Sequence, residues 1–208
     1  MSNNFFSPSH NKIIGLIGKN KRVLDVGCSE GCLSKRLRLN GCEVFGIEIN
    51  KNAAQLAKSY CQEVFVGDVE SIKLNSKYEN FFDCIVFADV LEHLKEPAVV
   101  LRSFKEYLKA DGQLILSVPN IAHWSMRLKL LFGNFEYKDQ GLLDRGHLRF
   151  FNEKSVKKIL LENGFEISTF DINFAESLKY NNILHLIGIM KPNFFGFQFL
   201  IVANKKRS

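Results

Sequence analysis

The stretch Val23–Ser34, VLDVGCSEGCLS, constrains the fold more than any other in the chain. An apolar run (Val23, Leu24, Val26) passes through the acid Asp25 into a Gly27-x-x-x-Gly31 turn, after which Leu33 and Leu37 recur at helical spacing. This reads as strand, tight loop and helix. Glycine lets the loop backbone approach a ligand closely, and the first N–H groups of the following helix have no intrahelical partner, which suits an anionic group.

Around that turn the sequence alternates strand and helix signals, the pattern of a mostly parallel sheet with helices on both faces. Residues 8–18 read as a helix capped by Ser9 and residues 22–27 as the first strand, whose helix stops near Asn40-Gly41. Further strands are read at 43–49, 63–66, 82–88, 113–118, 165–173 and 196–203. Helices are read at 52–60, from Pro97 with the stripe Leu101, Phe104 and Leu108 and Gly112 past its end, and from Asn152 to Asn163-Gly164. The segment 121–150 reads as a helix followed by an ordered loop. At 208 residues the expectation is one domain over 1–208, with acceptor-side lids at 121–150 and 174–195.

Composition narrows the class. A net charge of +6 spread along the chain suits a phosphorylated or anionic substrate without requiring nucleic acid. The five cysteines form no C-x-x-C and read as reduced core thiols of a cytoplasmic protein, not as a disulfide framework or a zinc site. The N-terminus lacks the basic and apolar regions of a signal peptide, and no apolar run is long enough for a membrane span.

The turn also narrows its ligand. A dinucleotide site wants G-x-G-x-x-G, and here Ser29 stands where the second glycine admits a pyrophosphate. A ligand with an amino-acid end fits better: its carboxylate meets the turn N–H groups, its ammonium meets Asp25, and the molecule so described is S-adenosylmethionine. Glu48, about 20 residues after the turn, suits both ribose hydroxyls. Asp68, at the end of the third strand, suits the adenine amino group, with Val69 packing on the ring.

The segments VLDVGCSEG, FGIEIN, GDVE, FDCIVFADVLEHL and GQLILSVPN, in that order, resemble motifs of class I S-adenosylmethionine-dependent methyltransferases over roughly residues 20–170. The resemblance implies a Rossmann-like three-layer α/β sandwich, its seven-stranded sheet having an antiparallel last strand inserted between strands five and six. It implies cofactor contacts at Asp25, Gly27, Cys28, Ser29, Gly31, Glu48, Ile49, Asp68, Val69 and Asp89.

A second constellation is Asp89, Glu92 and His93 in ADVLEHL, which share one face if a helix begins there, and a third is His147 between Arg145 and Arg149 in DRGHLRF. Both resemble ubiquinone-pathway O-methyltransferases and the enzymes that methylate the terminal 2′-hydroxyl of small RNAs, in which E-x-x-E-H and a later histidine hold a divalent ion beside the acceptor oxygens. Here Asp89 replaces the first Glu. The metal set implied is Asp89, Glu92, His93 and His147, and the competing reading is a helix cap made by Asp89 and Glu92. His147 is the first candidate for general base and His93 the second. Arg145 and Arg149 suit a substrate phosphate or carboxylate, and His123 and Trp124 the lining of the acceptor site.

The expected reaction is methylation of a small-molecule or glycan-precursor hydroxyl. The rivals are an RNA 2′-O-methyltransferase and a non-catalytic S-adenosylmethionine-binding partner subunit. Nucleic acid is the less favoured partner, because no Asn/Asp-Pro-Pro-Tyr signature follows strand four and no separate RNA-binding segment is present.

Overall fold

The structure, a computed structural model, describes residues 8–174 and 191–206. It contains a seven-stranded sheet of order β3-β2-β1-β4-β5-β7-β6. The strands are β1 (Arg22–Val26), β2 (Glu43–Glu48), β3 (Glu63–Val66), β4 (Phe82–Ala88), β5 (Leu108–Pro119), β6 (Phe165–Asn173) and β7 (Gln198–Lys205). The first five pair in parallel, and β7 lies antiparallel between β5 and β6. This is the topology the resemblance implies, and with α-helices covering the faces it is a Rossmann-like fold.

Parallel strands buried on both faces carry near-continuous apolar runs, and after Arg22 every residue of β1 is buried. One face packs Phe45, Phe82, Phe87, Phe104, Phe165 and Phe199. The other packs Val23, Val44, Val86, Ile115 and Val202 against α1 (Pro8–Ile17) and α2 (Cys32–Leu39) through Ile13, Ile17, Leu33 and Leu37. Caps fix where helices begin. Asn50 accepts from Asn52 N and Ala53 N at the start of α3 (Lys51–Ala57), Pro97 opens α4 (Pro97–Lys105), and Asn152 and Ser155 form a reciprocal box at α6 (Glu153–Glu162). The remaining helices are α5 (Trp124–Leu131) and the short α7 (Pro192–Phe195).

Two sequence expectations are corrected. Leu108 does not extend α4: the helix ends at Lys105 and Leu108 begins β5 opposite Phe82, with a register shift before Cys84. Gly112 lies within β5, where an added Cβ would stand 2.8 Å from the Leu108 side chain. ADVLEHL also forms no α-helix, only a single 3-10 turn at Leu91–His93. Of the 174–195 segment, residues 175–190 lie outside the described residues.

Gly46 shows how tightly the sheet meets the glycine turn. A Cβ there would lie 2.6 Å from Cys28 Sγ and 3.4 Å from Cys61 Sγ. Gly46→Ala is therefore expected to cost ~1–3 kcal/mol through overpacking, read as a lower urea midpoint at unchanged slope.

Candidate functional site

The turn between β1 and α2 holds three consecutive odd positions in left-handed backbone: Gly27 (φ 72°), Ser29 (φ 49°) and Gly31 (φ 85°). Ser29 is not a glycine, so its conformation is held from outside: its N–H donates to Glu48 Oε2 at 2.9 Å, while Glu48 Oε1 accepts from Asn50 N at 2.8 Å. Asp89, just past β4, is left-handed as well (φ 56°). All of these lie at the carboxyl edge of the parallel strands, where open α/β sheets bind ligands.

Two cavities meet at Gly27. One, of about 290 Å³, is lined by His10, Asp25, Gly27, Cys28, Ser29 and Asp89, among others. The second, of about 320 Å³, is lined by Glu48, Ile49, Asp68, Val69, Val90 and Leu148, among others. Ile49 is 66 % exposed, a large apolar side chain held at the rim of this cavity. Asp68 uses Oδ1 to accept from Glu70 N, and Glu48 accepts one N–H at each oxygen, so both carboxylates, which line the second cavity, retain further acceptor capacity.

Asp25 is 2 % exposed and accepts from the Ser34 hydroxyl at 2.7 Å. Burial pushes its carboxyl up from 3.8 to about 6, opposed by the Ser34 hydrogen bond and reinforced by Glu48. The folded chain therefore binds a proton here more tightly than the unfolded chain, and stability falls as pH rises from about 4 to about 6. Over that window the loss is about 3 kcal/mol. Asp25→Asn, measured by chemical denaturation without cofactor, is expected to remove this slope and to exceed the wild type above pH about 6.

A third group stands beside the second cavity. Glu92, His93 and His147 present ligand atoms that all lie within 4.8 Å of one another. Glu92 is 1 % exposed, and among the described residues neither carboxylate oxygen has a hydrogen-bond partner. Burial holds its carboxyl well above the usual range, with the Asp89 charge adding to the effect. The rings of His93 and His147 meet edge to face at 4.9 Å. His93 Nδ1 lies 2.9 Å from the Gly146 carbonyl and His147 Nδ1 lies 3.4 Å from that of Leu142. A carbonyl only accepts, so Nδ1 carries the proton in each ring and Nε2 keeps its lone pair. Burial and the neighbouring His93 lower the His147 pKa. The backbone sets this loop: Leu148 N and Arg149 N both donate to the Glu92 carbonyl.

A family model described as a methyltransferase domain matches residues 4–169. The chain belongs to that methyltransferase family. Among curated relatives, a ubiquinone biosynthesis O-methyltransferase of Haemophilus ducreyi is 36 % identical over 123 residues, covering 55 % of this chain and 51 % of its own length. One from Actinobacillus pleuropneumoniae serotype 5b is 29 % identical over 178 residues, covering 82 % of this chain and 72 % of its own. This chain thus spans from about half to about three quarters of these relatives. Among solved structures, an Archaeoglobus fulgidus SAM-dependent methyltransferase has TM-score 0.69 at 18 % identity, covering 95 % of this chain and 91 % of its own. A Synechocystis magnesium protoporphyrin IX methyltransferase with bound SAH has TM-score 0.67 at 19 % identity, covering 95 % and 82 %.

The cofactor of this methyltransferase family is S-adenosylmethionine. Asp68, Val69 and Glu48, the residues expected at the adenine and ribose, line the second cavity, and Asp25, Ser29 and Asp89, those expected at the amino-acid end, line the first. The structure departs from the sequence reading at several other residues. Asp89 does not join Glu92, His93 and His147; its Oδ1 accepts from Ser117 Oγ at 3.0 Å and from Gln198 Nε2 at 2.5 Å. The capping reading also fails, because the Leu91–His93 turn has no side-chain cap. His123 is 3 % exposed, caps α5 and packs on Phe197, so it serves the fold instead of lining an open acceptor site. Trp124 packs against the His123 ring, with centroids 5.6 Å apart. Arg149 is occupied by the Lys95 carbonyl and Glu96, and Arg145 pairs with Asp139 at the surface. Sequence reasoning missed His10, Ser117, Leu148 and Gln198: Ser117 and Leu148 lie inside GQLILSVPN and DRGHLRF as uncharged residues between stronger signals, and His10 and Gln198 carry no local motif.

Proposed function

We propose that this methyltransferase transfers the methyl group of S-adenosylmethionine to a hydroxyl oxygen of a small-molecule or glycan-precursor acceptor, at a centre made by Glu92, His93 and His147. The observation that carries this reading is Glu92, a buried carboxylate with two orphan oxygens set beside two imidazoles. An unpaired buried carboxylate is costly, and a bound cation offsets that cost directly. The O-methyltransferase names of the curated relatives support oxygen as the acceptor atom.

The chain's own residues orient and deprotonate. Glu48 and Asp68 fix the nucleoside, so that the reacting end of the donor lies toward Asp89 and the histidines. His147, neutral at physiological pH because burial lowers its pKa, accepts the acceptor hydroxyl proton at Nε2. Were a divalent ion held by Glu92, His93 and His147, His147 Nε2 would be one of its ligands, and the ion would lower the pKa of the acceptor hydroxyl in place of a base. Asp89, fixed by Ser117 and Gln198, borders the amino-acid end of the donor.

Calorimetry with S-adenosylmethionine, followed by an acceptor screen with and without chelator, tests the reading. Binding of the donor and chelator-sensitive methyl transfer to a hydroxyl are expected. No donor binding overturns the whole reading, whereas turnover indifferent to chelator removes the ion alone.

A further inference from the structure

The glycine turn that carries the donor site is wedged against the end of α3. An added Cβ at Gly31 would stand 2.9 Å from Tyr60 Cδ2 and 3.1 Å from Ala57 Cα. One at Gly46, in β2, would stand 2.6 Å from Cys28 Sγ and 3.4 Å from Cys61 Sγ. Two sulfurs, one from the turn and one from just beyond α3, thus share the space that Gly46 leaves by having no side chain. Both are free thiols. Cys28 is 5 % exposed and lines the first cavity beside Asp25 and Ser29, while Cys61 is half-buried and packs against the apolar cluster under α1 and α2.

The two thiols share a hydrogen bond. Accepting it holds the Cys61 thiol below its ordinary value, against opposing burial, and giving it, together with burial, pushes the Cys28 thiol up. One sulfur is therefore readier to ionise, and the other is already in contact with it. That is the arrangement of an attacking and a resolving thiol. We propose that Cys28 and Cys61 form a hydroperoxide-sensitive dithiol whose oxidation to a disulfide weakens donor binding. The Cys61 thiolate attacks one oxygen of the hydroperoxide and breaks the O–O bond. The departing oxygen takes up the proton that Cys61 released and leaves as water or an alcohol, and Cys61 becomes a sulfenic acid. The Cys28 sulfur then attacks the Cys61 sulfur, and the sulfenic hydroxyl leaves with the Cys28 proton as water. Two thiols are oxidised to one disulfide while one peroxide is reduced, a balanced two-electron exchange.

The effect on the donor follows from the packing. A covalent bond brings the sulfurs closer than any non-bonded contact, so closing it draws Cys28 toward α3. The turn has no slack to give. Gly27 N and Cys28 N both donate to the Ile47 carbonyl, and Ser29, at φ 49°, is held by Glu48. Moving Cys28 disturbs these bonds, and Gly27 and Glu48 line the cavities on either side.

The full chain, purified under reductant, is treated with hydrogen peroxide and assayed for S-adenosylmethionine binding by calorimetry, with peptide mapping of the same sample. A Cys28–Cys61 cross-link and a fall in donor affinity of at least ~10-fold, both reversed by dithiothreitol, are expected. By linkage, saturating donor should raise the reduction potential of the pair by ~30 mV for each tenfold of that fall, because the donor prefers the dithiol. Cys61→Ser should bind the donor as wild type does and keep that affinity after peroxide. Cys32 lines the same cavity, and Cys32→Ser should stay sensitive. Absence of the cross-link, or a cross-linked protein that binds the donor at full affinity, overturns the proposal. So does a loss of affinity that persists in Cys61→Ser or vanishes in Cys32→Ser, which would assign the sensitive thiol to Cys32. The readouts are donor binding and covalent mapping, so the outcome is independent of the reaction proposed at Glu92, His93 and His147.

Discussion

His147→Ala is expected to lower kcat by ~10²–10⁴-fold while leaving the affinity for S-adenosylmethionine within about twofold of wild type. The separation follows from placement. His147 lines neither cofactor cavity, whereas its ring meets His93 and its carboxylate neighbour is the orphaned Glu92. A residue needed for the fold would alter donor binding and stability together. His147 is half-buried and gives up only one long hydrogen bond, to Leu142, so its removal leaves the loop held by Leu148 N and Arg149 N on the Glu92 carbonyl. Single-turnover rates, donor calorimetry and thermal midpoints on one preparation distinguish the cases. Unchanged turnover would cancel the proposed role of His147.

Gly27→Ala should damage the donor site instead. Gly27 sits at φ 72° and borders both cavities, and an added Cβ would lie 2.8 Å from Val90 Cγ2. The left-handed backbone costs an L-residue ~1–2 kcal/mol and the contact ~1–3 kcal/mol more. Relief by moving Val90 disturbs a wall of the nucleoside cavity, so donor affinity is expected to fall at least ~10-fold along with stability. Gly15→Ala is the matched control. Gly15 lies inside α1 at an ordinary φ with nothing within 4 Å of an added Cβ, and it should gain ~0.5–1 kcal/mol with no change in donor binding.

The parts of the molecule legible in the sequence are those whose causes are local. Val23–Val26 is apolar because β1 is covered on both faces, Gly27 and Gly31 mark left-handed backbone, and Asn152 announces its own cap. The placement of Glu48 and Asp68 at the carboxyl edge was legible because Glu48 closes β2 and Asp68 follows β3 by two residues. The join of α4 to β5 was not, because Leu108 continues the helical stripe of Leu101 and Phe104 while its backbone pairs with Phe82, a partner 26 positions earlier that no local pattern reveals. The same limit applies to Asp89. Its spacing to Glu92 and His93 is right for one helical face, but the left-handed turn at φ 56° sends it to Ser117 and Gln198 instead. His123 looked like a site residue because chemistry-bearing side chains are rare in cores, and its burial depends on Phe197 arriving from the far end of the chain.

The position of β7 has a consequence for how the molecule assembles. Residues 198–205 come after β6 in the chain yet lie inside the sheet, paired with β5 on one side and β6 on the other. During synthesis β5 is made long before its neighbour, and its outer row of N–H and C=O groups waits as an open edge. Gln198, at the first position of β7, is also what clamps Asp89. The donor edge is thus completed only when one of the latest strands enters, a high-separation contact of the kind that slows folding. A nascent chain that has released β1 to β6 carries Glu48, Asp68 and Asp89 and still lacks Gln198, the residue that holds Asp89 in place.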